Sequence, residues 1–219
     1  MKKIQILSIK LFVLLVSMTS FLYSQAQQGI HNYNLVQLLQ QNQLITAPQY
    51  QTRVLDDPQK QAITTSGVVW LKDTDFKEGS IEIDLRGKDV FLQSFLGIAF
   101  HGVDTATYDV VYFRPFNFRH TDTFRRKWSV QYMSLPEYDY DKLRKEHPLV
   151  YENSVDPVPQ AADWFHATIA VKDGWVTVYV NHSAKASLKV KLLNSRSGGS
   201  IGLWTSALNG DFANLSLTK

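Results

Sequence analysis

The chain has 219 residues, 44% of them hydrophobic, and no cysteine, so a packed core rather than disulfides must stabilise the fold. Of its 23 basic residues, three lysines lie within the first ten positions, which leaves 20 basic against 20 acidic residues. A chain body without net positive charge is poorly suited to the phosphate backbone, so we do not expect a nucleic-acid partner.

The first 26 residues have the pattern of a secretory signal peptide. Three lysines precede an apolar run at residues 11–16, and Ser24 and Ala26 supply the small residues that signal peptidase reads. The apolar run is shorter than the roughly 20 residues of a membrane-spanning helix. We therefore predict cleavage near Ala26, no membrane span, and export to the periplasm or the extracellular space.

Two parts follow the leader. Residues 27–62 are predicted to form an N-terminal arm, with a short helix in LVQLLQQ and the first strands packing on the main body. Residues 63–219 carry strand signals at the spacing of an all-β sandwich. The predicted strands lie at residues 67–71 and 80–86, twice within 94–118, and at 128–134, 165–172, 175–181, 186–192, 200–205 and 212–218. Asp173 and Gly174 predict a two-residue hairpin turn.

Residues 135–163 interrupt this pattern with four prolines and the segment PEYDYDKLRKEH. Pro136 is suited to a first helical position, and acids precede bases as the helix dipole prefers, so we predict one short helix here. Long connections in compact domains are usually functional or disordered. Because this one leaves the strand that carries Gln131, we place it at the rim of a groove.

The two strands within residues 94–118 predict where that groove lies. Successive side chains of a strand point to opposite faces, which puts His101 on one face with the small residues Gly97 and Ala99. The next strand brings Tyr112 and Arg114 to the same region. The pattern predicts a shallow polar groove on a rigid sheet, although a β-bulge would reverse the faces beyond it.

Five polar residues form the predicted ligand-binding set. Arginine offers a planar fork of donors, amides offer a donor and an acceptor together, and tyrosine adds a ring. Histidine serves either as a base or as a hydrogen-bond donor. The alternative is a polar network that covers one sheet face without any ligand. The set consists of His101, Tyr112, Arg114, Asn117 and Gln131.

Several phrases resemble a known family. GSIEIDL, FLGIAFHG, YDVVYFRPFN, DWFHATIAVKDGWVTVYVN and GGSIGLWTSALNGDFANLSL occur in this order, as in concanavalin A-like lectin/glucanase domains. Within that group the sequence is most similar to laminin-G-like and 3-keto-disaccharide-hydrolase-like secreted bacterial proteins, over residues 63–219. The resemblance implies an all-β jelly-roll sandwich of two antiparallel sheets, with one short helix in a long loop and a concave face that meets carbohydrate.

The same scaffold hosts binding proteins and enzymes, so three functions stay open. The first is an exported carbohydrate-binding protein. The second is a glycoside hydrolase of the 3-keto-disaccharide-hydrolase-like type, with a proton-transfer pair drawn from His101, Asp109 and Tyr112. The third is a non-catalytic accessory protein of the cell envelope.

A glucanase-type carboxylate pair is incomplete in this sequence. Retaining members of the resembled family carry E-x-D-x-x-E on one strand, and Glu82 and Asp84 match its first two acids. Gly87 stands at the third position, so the acid/base partner is missing. The alternative is a strand whose acids face solvent.

Cofactors are not predicted. Asp56, Asp57 and Asp104 are the acids that suggest structural calcium, but no spaced acidic loop supports such a site, and no His/Cys cluster suggests zinc. The basic segment at residues 119–127 offers a local positive patch. We expect a carbohydrate partner, with an anionic glycan as one option.

Overall fold

The computed structural model describes residues 29–219, which form two antiparallel β-sheets packed face to face. The predicted signal peptide at residues 1–26 lies outside the described residues. No helix in residues 29–219 combines the length and apolar character that crossing a membrane requires.

The eight-stranded sheet contains β1 (Ile30–Tyr33), β3 (Thr52–Leu55), β4 (Ala62–Thr65), β6 (Gly79–Arg86), β11 (Phe165–Lys172), β12 (Trp175–Val180), β13 (Leu188–Lys191) and β15 (Gly210–Thr218). Its order is β13-β12-β11-β6-β15-β4-β3, and β1 also pairs with β15. The seven-stranded sheet contains β2 (Leu44–Thr46), β5 (Val68–Leu71), β7 (Ser94–Gly102), β8 (Tyr108–Phe113), β9 (Val130–Leu135), β10 (Glu152–Asn153) and β14 (Ser200–Ala207). Its order is β10-β9-β8-β7-β14-β5-β2.

Within residues 29–219, four short helices connect the strands: α1 (Leu35–Gln40), α2 (Pro115–Phe118), α3 (Thr123–Arg126) and α4 (Tyr140–Glu146). The predicted all-β sandwich of two antiparallel sheets is confirmed. Residues 30–55 contribute strands to both sheets, because β1 and β3 join the eight-stranded sheet and β2 joins the seven-stranded one.

The core lies between the sheets and follows the period-two pattern. Ile81, Ile83 and Leu85 of β6 are fully buried, as are Ile98 and Phe100 of β7. Each such side chain contributes roughly 1.5–3 kcal/mol on leaving water. At Asp173 and Gly174 the φ angles are +50° and +74°, and Lys172 pairs with Trp175 across them. The predicted hairpin is therefore confirmed, since positive φ at both central residues is what such a turn requires.

The predicted helix in the long connection begins later than expected. Asp139 is its N-cap, and the carboxylate accepts a hydrogen bond from the Lys142 backbone N–H at 2.8 Å. The helix starts at Tyr140, so the prediction that Pro136 occupies the first helical position is wrong. An aspartate that satisfies a free N–H of the first turn defines the start of the helix.

Candidate functional site

A groove of about 480 Å³ lies on the outer face of the seven-stranded sheet, the face turned away from the other sheet. This volume is within the range of small-molecule sites. Its floor is formed by side chains of β7, β8, β9 and β14, and one wall is formed by Asp139 and α4. The opposite rim is formed by Leu92, whose side chain is 59% exposed.

Aromatic rings form the floor of the groove, and a glycine between two of them leaves room for the rings to meet. Gly97 of β7 pairs with Tyr112 on one side and with Trp204 on the other. Since Gly97 has no side chain, the two rings approach each other above it, with centroids 5.0 Å apart and planes 44° apart. Phe95 extends the floor at 6.2 Å from Tyr112. The result is an apolar surface of three adjoining rings.

Two of the predicted residues, Tyr112 and Arg114, line the groove, and Gln131 is buried behind them. The Tyr112 hydroxyl donates to Gln131 Oε1 at 2.7 Å, and Arg114 Nη2 donates to both of these side chains. The Arg114 Nη1 donates to the Trp128 carbonyl at 2.9 Å. Because Arg114 is only 5% exposed and its terminal nitrogens are engaged, it positions Tyr112 and Gln131 rather than presenting a free fork.

Burial sets the protonation of this cluster. Burial raises the pKa of Tyr112 to about 12, although the nearby Arg114 charge acts in the opposite direction. The phenol therefore stays neutral at physiological pH and holds its proton on the bond to Gln131. Such a hydroxyl is a positioned polar contact, not a group that exchanges a proton near neutral pH.

Asn117 lies behind the floor. Its Nδ2 donates at 3.2 Å to the Trp128 carbonyl that also accepts from Arg114, and the residue is 2% exposed. The Asn117 side chain thus supports Arg114 from the α2 side and does not line the groove.

The wall opposite Leu92 carries the charged groups. Arg144 of α4 forms a two-point contact with the buried Glu152, at 2.8 Å from Nη2 and 3.2 Å from Nε. Its guanidinium also stacks 4.5 Å from the Trp128 ring. These contacts fix Arg144 at the groove edge, where it and Asp139 supply a donor and an acceptor beside the aromatic floor.

His101 does not join the groove, and the prediction that it shares a face with Tyr112 and Arg114 is wrong. The register between β7 and β14 shifts near Gly202, and His101 has a φ of +50°. This bulge turns the imidazole to the interior, where Nδ1 meets Asp109 Oδ2 at 2.8 Å. The second ring nitrogen meets the Lys77 carbonyl at 2.8 Å.

Asp109 lies on the core side of β8, opposite Tyr112. It is fully buried and accepts hydrogen bonds from the hydroxyl of Tyr132 at 2.7 Å and from Asn194 at 2.6 Å. Arg196 approaches the same carboxylate at 3.0 Å. Burial opposes ionisation, but these hydrogen bonds outweigh it and lower the pKa of Asp109. The proposed proton-transfer set of His101, Asp109 and Tyr112 is therefore divided between two sides of the sheet.

Glu82 and Asp84 lie on the outer face of the other sheet, far from the groove. Asp84 accepts from His166 and Lys60, each at 2.8 Å, and from Asn214 at 2.7 Å. Burial alone would raise the pKa of Asp84, but these bonds lower it from 3.8 to about 2. Glu82 and Asp84 therefore belong to a structural network of ion pairs on the outer face of β6.

Because the pKa of Asp84 is lowered, we expect the stability of the fold to decrease in acid. The variant Asp84→Asn should lack this decrease. Because the pKa of Asp84 is lower in the folded state, its carboxylate stabilises the fold fully above pH 4. This stabilisation is lost as the pH falls through 2. We expect the pH-dependent part of the difference in unfolding free energy between wild type and Asp84→Asn to be about 2 kcal/mol. Urea unfolding between pH 6 and pH 2 measures it; a difference that stays constant over this range would contradict the assignment.

The other predicted charge clusters are engaged locally. Arg119 donates to the carbonyls of Val158 and Pro159, and Arg126 donates to the His120 carbonyl. Among the acids considered for calcium, Asp57 pairs with Arg86 and Asp104 accepts from backbone N–H groups of its own loop. Within residues 29–219, no group of three or more His, Cys, Asp or Glu side chains is placed to hold a metal ion.

Trp204 and Arg144 are the main groove residues that sequence reasoning missed. Trp204 carried a usable signal, because Ile201 and Leu203 alternate toward the core and leave Trp204 on the outer face. Arg144 carried none, since its position depends on how α4 sits over the sheet.

The sequence matches no protein-family model and no curated protein. Among solved structures, the chain is similar to the carbohydrate-binding module CBM66 from Bacillus subtilis, with a TM-score of 0.52, 11% identity, and coverage of 77% of this chain and 95% of that one. A protein of unknown function with a galectin-like fold, also from Bacillus subtilis, gives a TM-score of 0.50 and 12% identity over 78% of this chain and 89% of that one. The metal-free carbohydrate recognition domain of Emp46p gives a TM-score of 0.52 and 13% identity over 86% of this chain and 95% of that one.

Identities this low establish the fold and nothing finer. The two antiparallel sheets, their strand content and these similar structures agree with one another. The chain has the concanavalin A-like lectin/glucanase fold, a jelly-roll sandwich.

Proposed function

We propose that this is an exported carbohydrate-binding protein that holds a glycan in the groove of the seven-stranded sheet. The observation that carries the proposal is the aromatic floor, in which the rings of Trp204 and Tyr112 adjoin above Gly97. Export rests on the leader pattern of residues 1–26.

The chemistry of the floor fits a sugar ring. A pyranose has an apolar face of C–H groups and a polar edge of hydroxyls. An aromatic ring buries the apolar face, and a few fixed polar groups orient the edge. Here Trp204 and Phe95 would contact the ring face, while Arg144 and Asp139 at the wall would hydrogen-bond to hydroxyls. Two of the similar solved structures are also described as carbohydrate-binding.

The charges favour a neutral glycan. Arg114 and Arg144 are balanced by Asp139 of the wall and by Glu152, which is bound to Arg144. The basic segment at residues 119–127 adds little, because none of its residues lines the groove. An anionic glycan would need unpaired guanidinium groups in the groove.

Binding is better supported than cleavage. Hydrolysis of a glycosidic bond by the common routes needs two carboxyl groups on either side of that bond. Asp139 lines the groove, but Glu152 is 3% exposed and held by Arg144, so the carboxylate pair is incomplete among the described residues. His101 and Asp109 are buried on the other side of the sheet.

The test compares two serine-to-tryptophan variants of the chain lacking residues 1–26. Ser206 is exposed at the groove, so Ser206→Trp should fill it and weaken binding of neutral oligosaccharides at least tenfold by calorimetry. Ser216 faces outward on the other sheet, so Ser216→Trp should bind like wild type. Raising the salt concentration should change the affinity little, because a neutral ligand is not screened. Failure of wild type to bind any neutral or acidic oligosaccharide, or equal affinity of both variants, would overturn the proposal.

A further inference from the structure

We propose that the same sheet face holds a second glycan subsite at Trp70, so that the ligand is an extended chain of several sugar units. This inference rests on the proposed function, because it lengthens the groove rather than replacing it. The second subsite is a separate hollow of about 180 Å³ at the far end of the face, lined in part by Trp70, Ile45 and Val103.

The hollow is open, and its apolar residues lie beside Asp104, Thr105 and Ser200. Ile45 is 50% exposed and Val103 is 67% exposed, and Trp70 between them is partly exposed. The Trp70 ring lies directly on the backbone of β14 and β7, because a Cβ atom at Gly202 or Gly102 would come within 2.8 or 2.4 Å of it. The two glycines thus let a large ring lie on the strands, with one side toward solvent.

A row of rings joins this hollow to the groove. Trp70 pairs with Gly202 and Trp204 pairs with Val68, so the two tryptophans are diagonal neighbours on adjacent strands. Diagonal neighbours lie about 7–8 Å apart. Tyr108 bridges them: its hydroxyl accepts from Trp204 Nε1 at 3.2 Å, and its ring meets Trp70 edge to face at 5.5 Å. A glycan stacked on Trp204 would reach Trp70 by adding units along this row.

The loop beside Trp70 is already ordered for such contact. The Asp104 carboxylate accepts from the backbone N–H groups of Ala106 and Thr107, each at 2.7 Å, which fixes the loop that carries Val103. A preformed rim costs less entropy when a ligand binds. The alternative is that Trp70 only covers the two glycines, and this alternative predicts no effect on ligands of any length.

The experiment measures affinity against chain length, using a disaccharide and a hexasaccharide of a glycan that the wild type binds. Wild type should bind the hexasaccharide at least tenfold more tightly than the disaccharide. Trp70→Ala should remove this gain, so that it binds the hexasaccharide and the disaccharide about equally. Val103→Asp, at a highly exposed position, should reduce the gain without removing an aromatic ring, so it tests the subsite even if Trp70→Ala fails to fold.

Trp175→Ala is the matched control, because Trp175 is 38% exposed on β12 of the other sheet. It should keep the full chain-length gain. If wild type binds glycan with no chain-length gain, or if Val103→Asp and a folded Trp70→Ala both keep that gain, the subsite inference is wrong while the proposed function stands. If wild type binds no glycan, the proposed function itself fails.

Discussion

Replacing Trp204 with alanine should lower the affinity for glycan by about 30-fold or more. A central, well-packed aromatic anchor is worth about 2 kcal/mol or more in binding, and each 1.4 kcal/mol is a factor of ten. Trp204 is such an anchor, because its ring contacts Tyr112 at the middle of the floor and is oriented by its N–H bond to Tyr108. Calorimetric titration of an oligosaccharide that binds wild type measures the loss.

The fold should survive this substitution. Trp204 is partly exposed on the outer face, while its neighbours Leu203 and Thr205 face the core. Trp175→Ala again supplies the control, since that ring lies on the other sheet between Lys189 and Lys191. Trp204→Ala should melt cooperatively and bind weakly, and Trp175→Ala should bind normally. Equal losses in both variants would mean that the groove is not the binding site.

Asp109→Asn should lower the free energy of unfolding by about 3–5 kcal/mol, the usual cost of breaking a buried ion pair. The carboxylate accepts hydrogen bonds from several donors at once, including Nδ1 of His101 and Nη2 of Arg196. An amide offers one acceptor in place of two and directs its NH2 group at donors. Denaturant unfolding followed by fluorescence measures the difference.

A matched substitution separates burial from charge. Asp104→Asn removes an exposed carboxylate whose partners lie in its own loop, and it should cost less than about 1 kcal/mol. In the folded state, Asp109→Asn should bind glycan like wild type, because Asp109 lies on the core side of the sheet. Unchanged stability of Asp109→Asn together with lost activity toward a glycan would instead support a catalytic role for His101 and Asp109.

The sandwich was predictable because strand alternation is a local property. The pattern at residues 165–172 alternates buried and less buried side chains just as the sequence does, and the Asp-Gly turn follows it at once. The convergence of Tyr112 with Gln131 followed from two alternating strands that become neighbours. In both cases the signal lies within a few residues.

The position of His101 was not predictable in this way. The bulge that turns it inward is a feature of the pairing between β7 and β14, whose residues are about 100 positions apart in sequence. The place of Arg144 depends similarly on long-range contacts with Glu152 and Trp128. Sequence periodicity gives the two faces of a strand, but register irregularities and helix docking decide which side chains share a groove.

The most direct test follows the indole N–H signals of four of the five tryptophans during titration with an oligosaccharide. Each indole reports one place on the surface: Trp204 the groove, Trp70 the far hollow, and Trp164 and Trp175 the opposite side. We predict the largest shift for Trp204, a shift of Trp70 that grows with chain length, and none for Trp164 or Trp175. Shifts confined to Trp164 and Trp175 would contradict the assignment of the glycan to the seven-stranded sheet.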